Sequence, residues 1–127
     1  MSRKILYIED NPDNMKLVQR AMEAIGHTFV GAESATLGLK LVEEINPDLI
    51  LLDINLPDMD GYEVARRIRA NKKQNFLYIP IIAITANALR GDAEKALEAG
   101  CDVYMSKPIN IRELWARVEG LLVSSTD

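Results

Sequence analysis

The segment Leu49-Ile50-Leu51-Leu52 is apolar at every position and is bracketed by Asp48 and Asp53. A strand with one face in water alternates apolar and polar residues; an unbroken apolar run is covered on both faces. Strands of that kind sit in the middle of parallel sheets, where crossover helices cover both sides. Other apolar blocks punctuate the chain: Ile5-Leu6-Tyr7-Ile8, Thr28-Phe29-Val30, Pro80 through Thr85, and Val103-Tyr104-Met105. Proline at the start of a strand is tolerated.

The segments between these blocks have helical period. Met15, Val18, Met22 and Ile25 share one face, with Asp10 or Asn11 as cap, Pro12 in the first turn and Gly26 as the stop. Ala35, Leu39, Val42 and Ile45 line a second helix capped by Ser34 and broken by Pro47. Pro57 and Asp60-Gly61 mark a turn before a third helix, from about Tyr62 to Asn71. A weakly apolar fourth helix runs from about Leu89 to Ala99, with Leu89, Ala93, Ala96 and Leu97 on its face. Ile111, Leu114, Trp115, Val118 and Leu121 face inward on the last. Five strands alternating with five helices predict an α/β fold, a doubly wound five-stranded parallel sheet with right-handed crossovers.

A chain of 127 residues has room for one domain, and its polar end, residues 124–127, is too short for an output module. The net charge of −4 argues against nucleic acid as a partner. One cysteine, Cys101, excludes an internal disulfide and suits a reducing compartment. No signal peptide or membrane-length apolar run is present, so a cytoplasmic location without membrane contact is expected.

Doubly wound sheets carry their sites beyond the carboxyl ends of the strands, where strand order switches. Glu9-Asp10, Asp53, Thr85 and Ser106-Lys107-Pro108 stand at those ends. Carboxylates gathered in one crevice repel one another and need a counter-charge. Lys107 offers one; Mg²⁺, which favours hard oxygen ligands and phosphate, would offer two. An aspartate there is already ionised at neutral pH and can attack phosphorus without a general base. Lys107, Thr85 and backbone N–H groups after Asp53 and Thr85 suit the developing phosphoryl charge.

Taken together, I-L-Y-I-E-D-N, P-D-L-I-L-L-D-I-N-L-P-D-M-D-G, I-I-A-I-T-A and Y-M-S-K-P resemble the receiver domain of two-component response regulators over essentially the whole chain. The resemblance implies a flavodoxin-like sheet of order 2-1-3-4-5, with residues 1–123 as the receiver. It implies that Asp53 accepts a phosphoryl group from a histidine kinase or a histidine phosphotransfer protein. Mg²⁺ would be held by Asp10, Asp53, Glu9 through water, and the Asn55 carbonyl. Lys107 would pair with the phosphoryl, Thr85 would hydrogen-bond to it, and Tyr104 would turn inward as Thr85 moves. A cis Lys107-Pro108 peptide is implied, as is a readout face formed by helix four, strand five and helix five that binds a protein partner. Homodimers occur in the family. Asn55 and Asn87 occupy positions the family uses to tune dephosphorylation.

Other readings compete. The chain could be a receiver cut from a larger regulator or hybrid kinase. A phosphatase using an aspartyl-phosphate would place a general acid two residues after the nucleophile, where Asn55 cannot serve. A flavin-binding module would meet repulsion between Glu9-Asp10 and the cofactor phosphate. A receiver that works without phosphorylation would not need all of Glu9, Asp10, Asp53, Thr85 and Lys107. Elsewhere, His27 reads as a surface histidine, Cys101 as a packing residue and Trp115 as part of the apolar stripe. Arg66, Arg67, Arg69, Lys72 and Lys73 read as a solvated face that complements a helix dipole.

Overall fold

The computed structural model describes residues 2–72, 76–86 and 91–124. Its strands are β1 (Lys4–Ile8), β2 (Thr28–Ala32), β3 (Leu49–Asp53), β4 (Ile81–Thr85) and β5 (Val103–Ser106). Its helices are α1 (Pro12–Ala24), α2 (Ala35–Ile45), α3 (Gly61–Ala70), α4 (Asp92–Glu98) and α5 (Ile111–Ser124). The sheet is parallel throughout, in the expected order β2-β1-β3-β4-β5. All five residues of β3 and of β4 are buried, as the unbroken apolar runs require.

Alternation within each strand divides the core into two layers. Leu6, Ile8, Ile50, Leu52, Ile81 and Ala83 point to the side covered by α2, α3 and α4, where they meet Val42, Val64, Ile68 and Ala96. Ile5, Tyr7, Leu49, Leu51, Ile82 and Ile84 point to the other side, where Val18, Met22, Leu114 and Val118 of α1 and α5 cover them. On α5 the third buried position is Leu122, and Leu121 is only half-buried. α4 buries Ala96 and leaves Ala93 and Leu97 exposed; Leu89 and Asn87 lie outside the described residues.

Local chemistry sets the ends of the elements. Asn11 caps α1 by accepting from the Asn14 N–H, Ser34 caps α2 through Leu37, and Asp60 caps α3 through Tyr62. Pro80 precedes β4, and its carbonyl still accepts from Ile50 N–H at 2.9 Å. α3 begins at Gly61, one residue earlier than expected. A Cβ there would lie 2.5 Å from the Ile54 Cα and 2.7 Å from the Asp53 carbonyl oxygen, so the loop after β3 folds back tightly only over glycine. Cys101 is buried, and burial pushes its thiol up to about 12, in keeping with a packing role. The half-buried Trp115 donates its indole N–H to the Ala21 carbonyl at 2.8 Å, tying α5 to α1.

Two expectations fail for the same reason. His27 is buried rather than exposed. Its Nδ1 accepts from Arg3 N–H at 3.1 Å, so the ring proton sits on Nε2 and is donated to Glu119 Oε1 at 2.7 Å. Arg69 leaves the basic face and turns inward. Its Nε donates to the Gly100 carbonyl at 2.9 Å, and its Nη1 to the carbonyls of Phe76 and Leu77 at 2.9 and 3.2 Å. Its Nη2 reaches Asp102 Oδ2 at 2.9 Å, and that oxygen also accepts from Ile81 N–H at 2.8 Å. Arg66 and Arg67 do stay on the surface, paired with Glu63. Lys72 is exposed, and Lys73 lies outside the described residues. Among the described residues no helix is long and apolar enough to cross a membrane.

Arg69 thus pins the entry to β4 and the turn before β5 from α3. Arg69→Ala is expected to lower unfolding free energy by about 2–4 kcal/mol, because several carbonyls and Asp102 lose a shared charged donor. Arg66→Ala is expected to cost under about 1 kcal/mol. Urea midpoints of the two variants check the contrast.

Candidate functional site

The parallel register brings the strand ends to one edge. Ile8 pairs with Leu52, Asp53 with Ile84, and Thr85 with Ser106, so the residues just beyond them share a crevice. Glu9 and Asp10 enter from β1, Asp53 closes β3, Thr85 closes β4, and Lys107 follows β5. Carboxylate oxygens of Glu9, Asp10 and Asp53 all lie within 4.8 Å of one another. Glu9 and Asp53 are buried, while Asp10 is open to solvent. The Lys107-Pro108 peptide is cis.

Lys107 stands between the two buried acids. Its Nζ lies 3.1 Å from Glu9 Oε1 and 3.4 Å from Asp53 Oδ2. Its own N–H donates to the Thr85 carbonyl at 2.8 Å, which fixes the start of its loop to β4. Asn55 N–H donates to Asp53 Oδ1 at 3.0 Å. The Asn55 side-chain oxygen accepts from Thr85 Oγ1 at 3.2 Å and from Ala86 N–H at 3.0 Å. Tyr104 is half-buried and packs against the core layer under α2, α3 and α4.

Burial alone would raise both buried acids. Asp53 is raised, first by burial and then by Glu9 beside it, against the Asn55 N–H and the Lys107 charge. Glu9 is lowered despite burial, because Asp53, Tyr7, Lys107 and the Asn11 N–H all bond to it. A single proton shared by this pair therefore rests on Asp53. The crevice holds a carboxylate that is costly to ionise and is poised to gain from any added positive charge. Three hard oxygen donors of this kind could hold a divalent cation, with Mg²⁺ fitting a small carboxylate set of this type.

Three contributors escape a reading of the sequence alone. Tyr7 is fully buried and donates its hydroxyl to Glu9 Oε1 at 2.7 Å. Burial, then the neighbouring Glu9 charge, pushes its phenol well above the ordinary range. The available signal was strand period: Tyr7 and Glu9, two residues apart, share a face. Asn14 adds a side-chain N–H to Glu9 Oε1 at 3.3 Å. Asp58, in the loop after β3, accepts from Ala35 N–H at 3.0 Å and from Thr36 N–H at 3.1 Å. It thereby clamps the Asp53 loop to the start of α2.

Comparison with known proteins agrees with this geometry. The family model for the response regulator receiver domain matches residues 5–119. The polar-differentiation response regulator DivK of Brucella ovis is 40% identical over 111 residues, covering 87% of this chain and 89% of that protein. The receiver domain of the sensor histidine kinase PA1611 of Pseudomonas aeruginosa, solved with magnesium coordinated in its active-site cleft, superposes with a TM-score of 0.87 at 35% identity. That superposition covers 97% of this chain and 99% of that one. A two-component response regulator from Clostridium difficile gives a TM-score of 0.90 at 28% identity, covering 99% of this chain and 100% of that one. With its sheet order, its acidic crevice and this match along most of its length, the chain belongs to the response regulator receiver domain family.

Proposed function

We propose that this receiver is a phosphorylation-gated switch in which Asp53 accepts a phosphoryl group from a phosphohistidine. The observation that carries this reading is the convergence of Glu9, Asp10 and Asp53 around one crevice with Lys107 facing Asp53 at 3.4 Å. The donor is a histidine kinase or a histidine phosphotransfer protein, separate or fused. An Asp53 carboxylate oxygen attacks phosphorus, and the P–N bond breaks. The electron pair goes to the imidazole, which leaves neutral when its other nitrogen carries a proton. Lys107 meets the charge on the phosphoryl, and Thr85 Oγ1 and the Ala86 N–H donate to its oxygens. Glu9, Asp10, Asp53 and the Asn55 carbonyl are the residues that would hold Mg²⁺. When bound, Mg²⁺ supplies positive charge that offsets the carboxylates and the incoming phosphoryl.

The output is a protein contact on the face made by α4, β5 and α5. Support comes from α4 itself, which buries little and leaves Leu97 58% exposed. Movement of Thr85 toward the phosphoryl opens room for Tyr104 and shifts an equilibrium between two arrangements of that face.

Incubation with Mg²⁺ and acetyl phosphate is expected to give one base-labile phosphoryl adduct, mapped by mass spectrometry to Asp53. The adduct is lost in Asp53→Asn and on chelation of the metal. An adduct elsewhere, or one indifferent to chelator, would overturn the reading.

The raised Asp53 carboxyl has a consequence for stability as well. Its value is raised from 3.8 to about 6 in the fold, so the folded state binds this proton more tightly than the unfolded chain. The contribution to stability is therefore full below the unfolded value and is lost as pH rises through about 6. At about pH 8 without Mg²⁺, Asp53→Asn is expected to unfold on the order of 1–3 kcal/mol later than wild type. The gap narrows toward about pH 5 and also when Mg²⁺ is added, since a ligand of the folded state stabilises it. Denaturant titrations of both proteins at the two pH values check the sign.

A further inference from the structure

The two donors at the end of β4 that a phosphoryl oxygen on Asp53 would use are already engaged by a side chain of this same protein. Thr85 Oγ1 and the Ala86 N–H converge on a single atom, Asn55 Oδ1, at 3.2 and 3.0 Å. The orientation of the amide is fixed by chemistry. A backbone N–H can only donate, so the atom facing Ala86 is the oxygen, and the threonine hydroxyl must then donate to it as well. The same residue holds Asp53 through its backbone N–H at 3.0 Å. One residue therefore links the acceptor carboxylate at the end of β3 to both donors at the end of β4.

We propose that the Asn55 side chain is a positioning residue that stands in for a phosphoryl oxygen in the unphosphorylated protein and has to be displaced before Thr85 can engage the phosphoryl. This rests on Asp53 being the phosphoacceptor. The competition is between unlike acceptors. The amide oxygen is neutral, whereas phosphoryl oxygens are charged, and hydrogen bonds to a charged acceptor are roughly twice as strong. The phosphoryl therefore wins, but with a smaller margin than it would have against water. Asn55 is solvent-exposed, so water can serve both donors once its side chain is gone. The latch holds Thr85 in its resting position and sets how readily the chain takes up a phosphoryl group.

The test uses BeF₃⁻ as a phosphoryl mimic at saturating Mg²⁺, so that differences in metal affinity drop out. Wild type, Asn55→Ala, Thr85→Ala and the double variant are compared by calorimetry. Asn55→Ala is expected to bind BeF₃⁻ about three- to tenfold more tightly than wild type, the size of one or two modest hydrogen bonds. The gain should shrink when Thr85 is already alanine. Without ligand, hydrogen exchange at the Ala86 amide should speed up several-fold in Asn55→Ala, while exchange at Leu51 in the buried strand should not. Asn55→Leu, similar in length and shape but without an acceptor, repeats the measurement if the alanine variant folds poorly. Equal or weaker BeF₃⁻ binding by Asn55→Ala, with normal binding by wild type, overturns the latch and leaves Asp53 as acceptor. Failure of wild type to bind BeF₃⁻ overturns the phosphoacceptor reading and the latch with it.

Discussion

Everything at this site follows from forcing negative charges together. Oxygens of Glu9, Asp10 and Asp53 gather within 4.8 Å, and two of the three residues are buried. Folding supplies the energy for this: β1 beyond Lys4 and all of β3 are buried, and their burial carries Glu9, Asp10 and Asp53 at their ends into the crevice. The repulsion is then distributed rather than removed. Lys107 takes part of it, Tyr7, Asn14 and the Asn11 N–H stabilise Glu9, and burial, with Glu9 beside it, leaves Asp53 reluctant to ionise. The crevice is electrostatically loaded, and a cation placed among these three carboxylates would relieve the load.

Asn55 joins two parts of the site through one residue. Its main chain bonds to Asp53 and its side chain to Thr85, so the loop after β3 and the end of β4 are joined in one hydrogen-bonded unit. Asp58 extends that unit to α2 by accepting from Ala35 and Thr36. Toward the proposed readout face the coupling loosens, because α4 contributes only a short buried stripe around Ala96. In the proposed switch, a hydrogen-bonded site beside a lightly packed helix would let a local change in charge reach a surface at small cost.

Most of the fold was legible because its signals are local. The apolar run at Leu49 to Leu52 announces a central parallel strand, Asn11 and Ser34 announce helix starts by their own side chains, and Asp60-Gly61 announces the turn before α3. The gathering of Glu9, Asp10, Asp53, Thr85 and Lys107 followed from one topological rule about strand ends. What escaped depends on partners far along the chain. His27 meets Glu119 across 92 positions, and Arg69 meets Asp102 across 33. Neither residue type declares such a partner, and a charged or polar side chain next to a turn ordinarily faces water. Tyr7 was read as core, which it is; its hydroxyl became part of the site only because period two aims it at Glu9.

Gly61 carries a consequence for inheritance. Every amino-acid replacement of glycine adds a Cβ, and any Cβ here would press on main-chain atoms of Ile54 and Asp53 that have no rotamer to yield. A replacement that presses on the main chain of Asp53 without touching its carboxylate therefore lies at the far end of the loop. A mutational survey that weighted positions by sequence distance from Asp53 would overlook it.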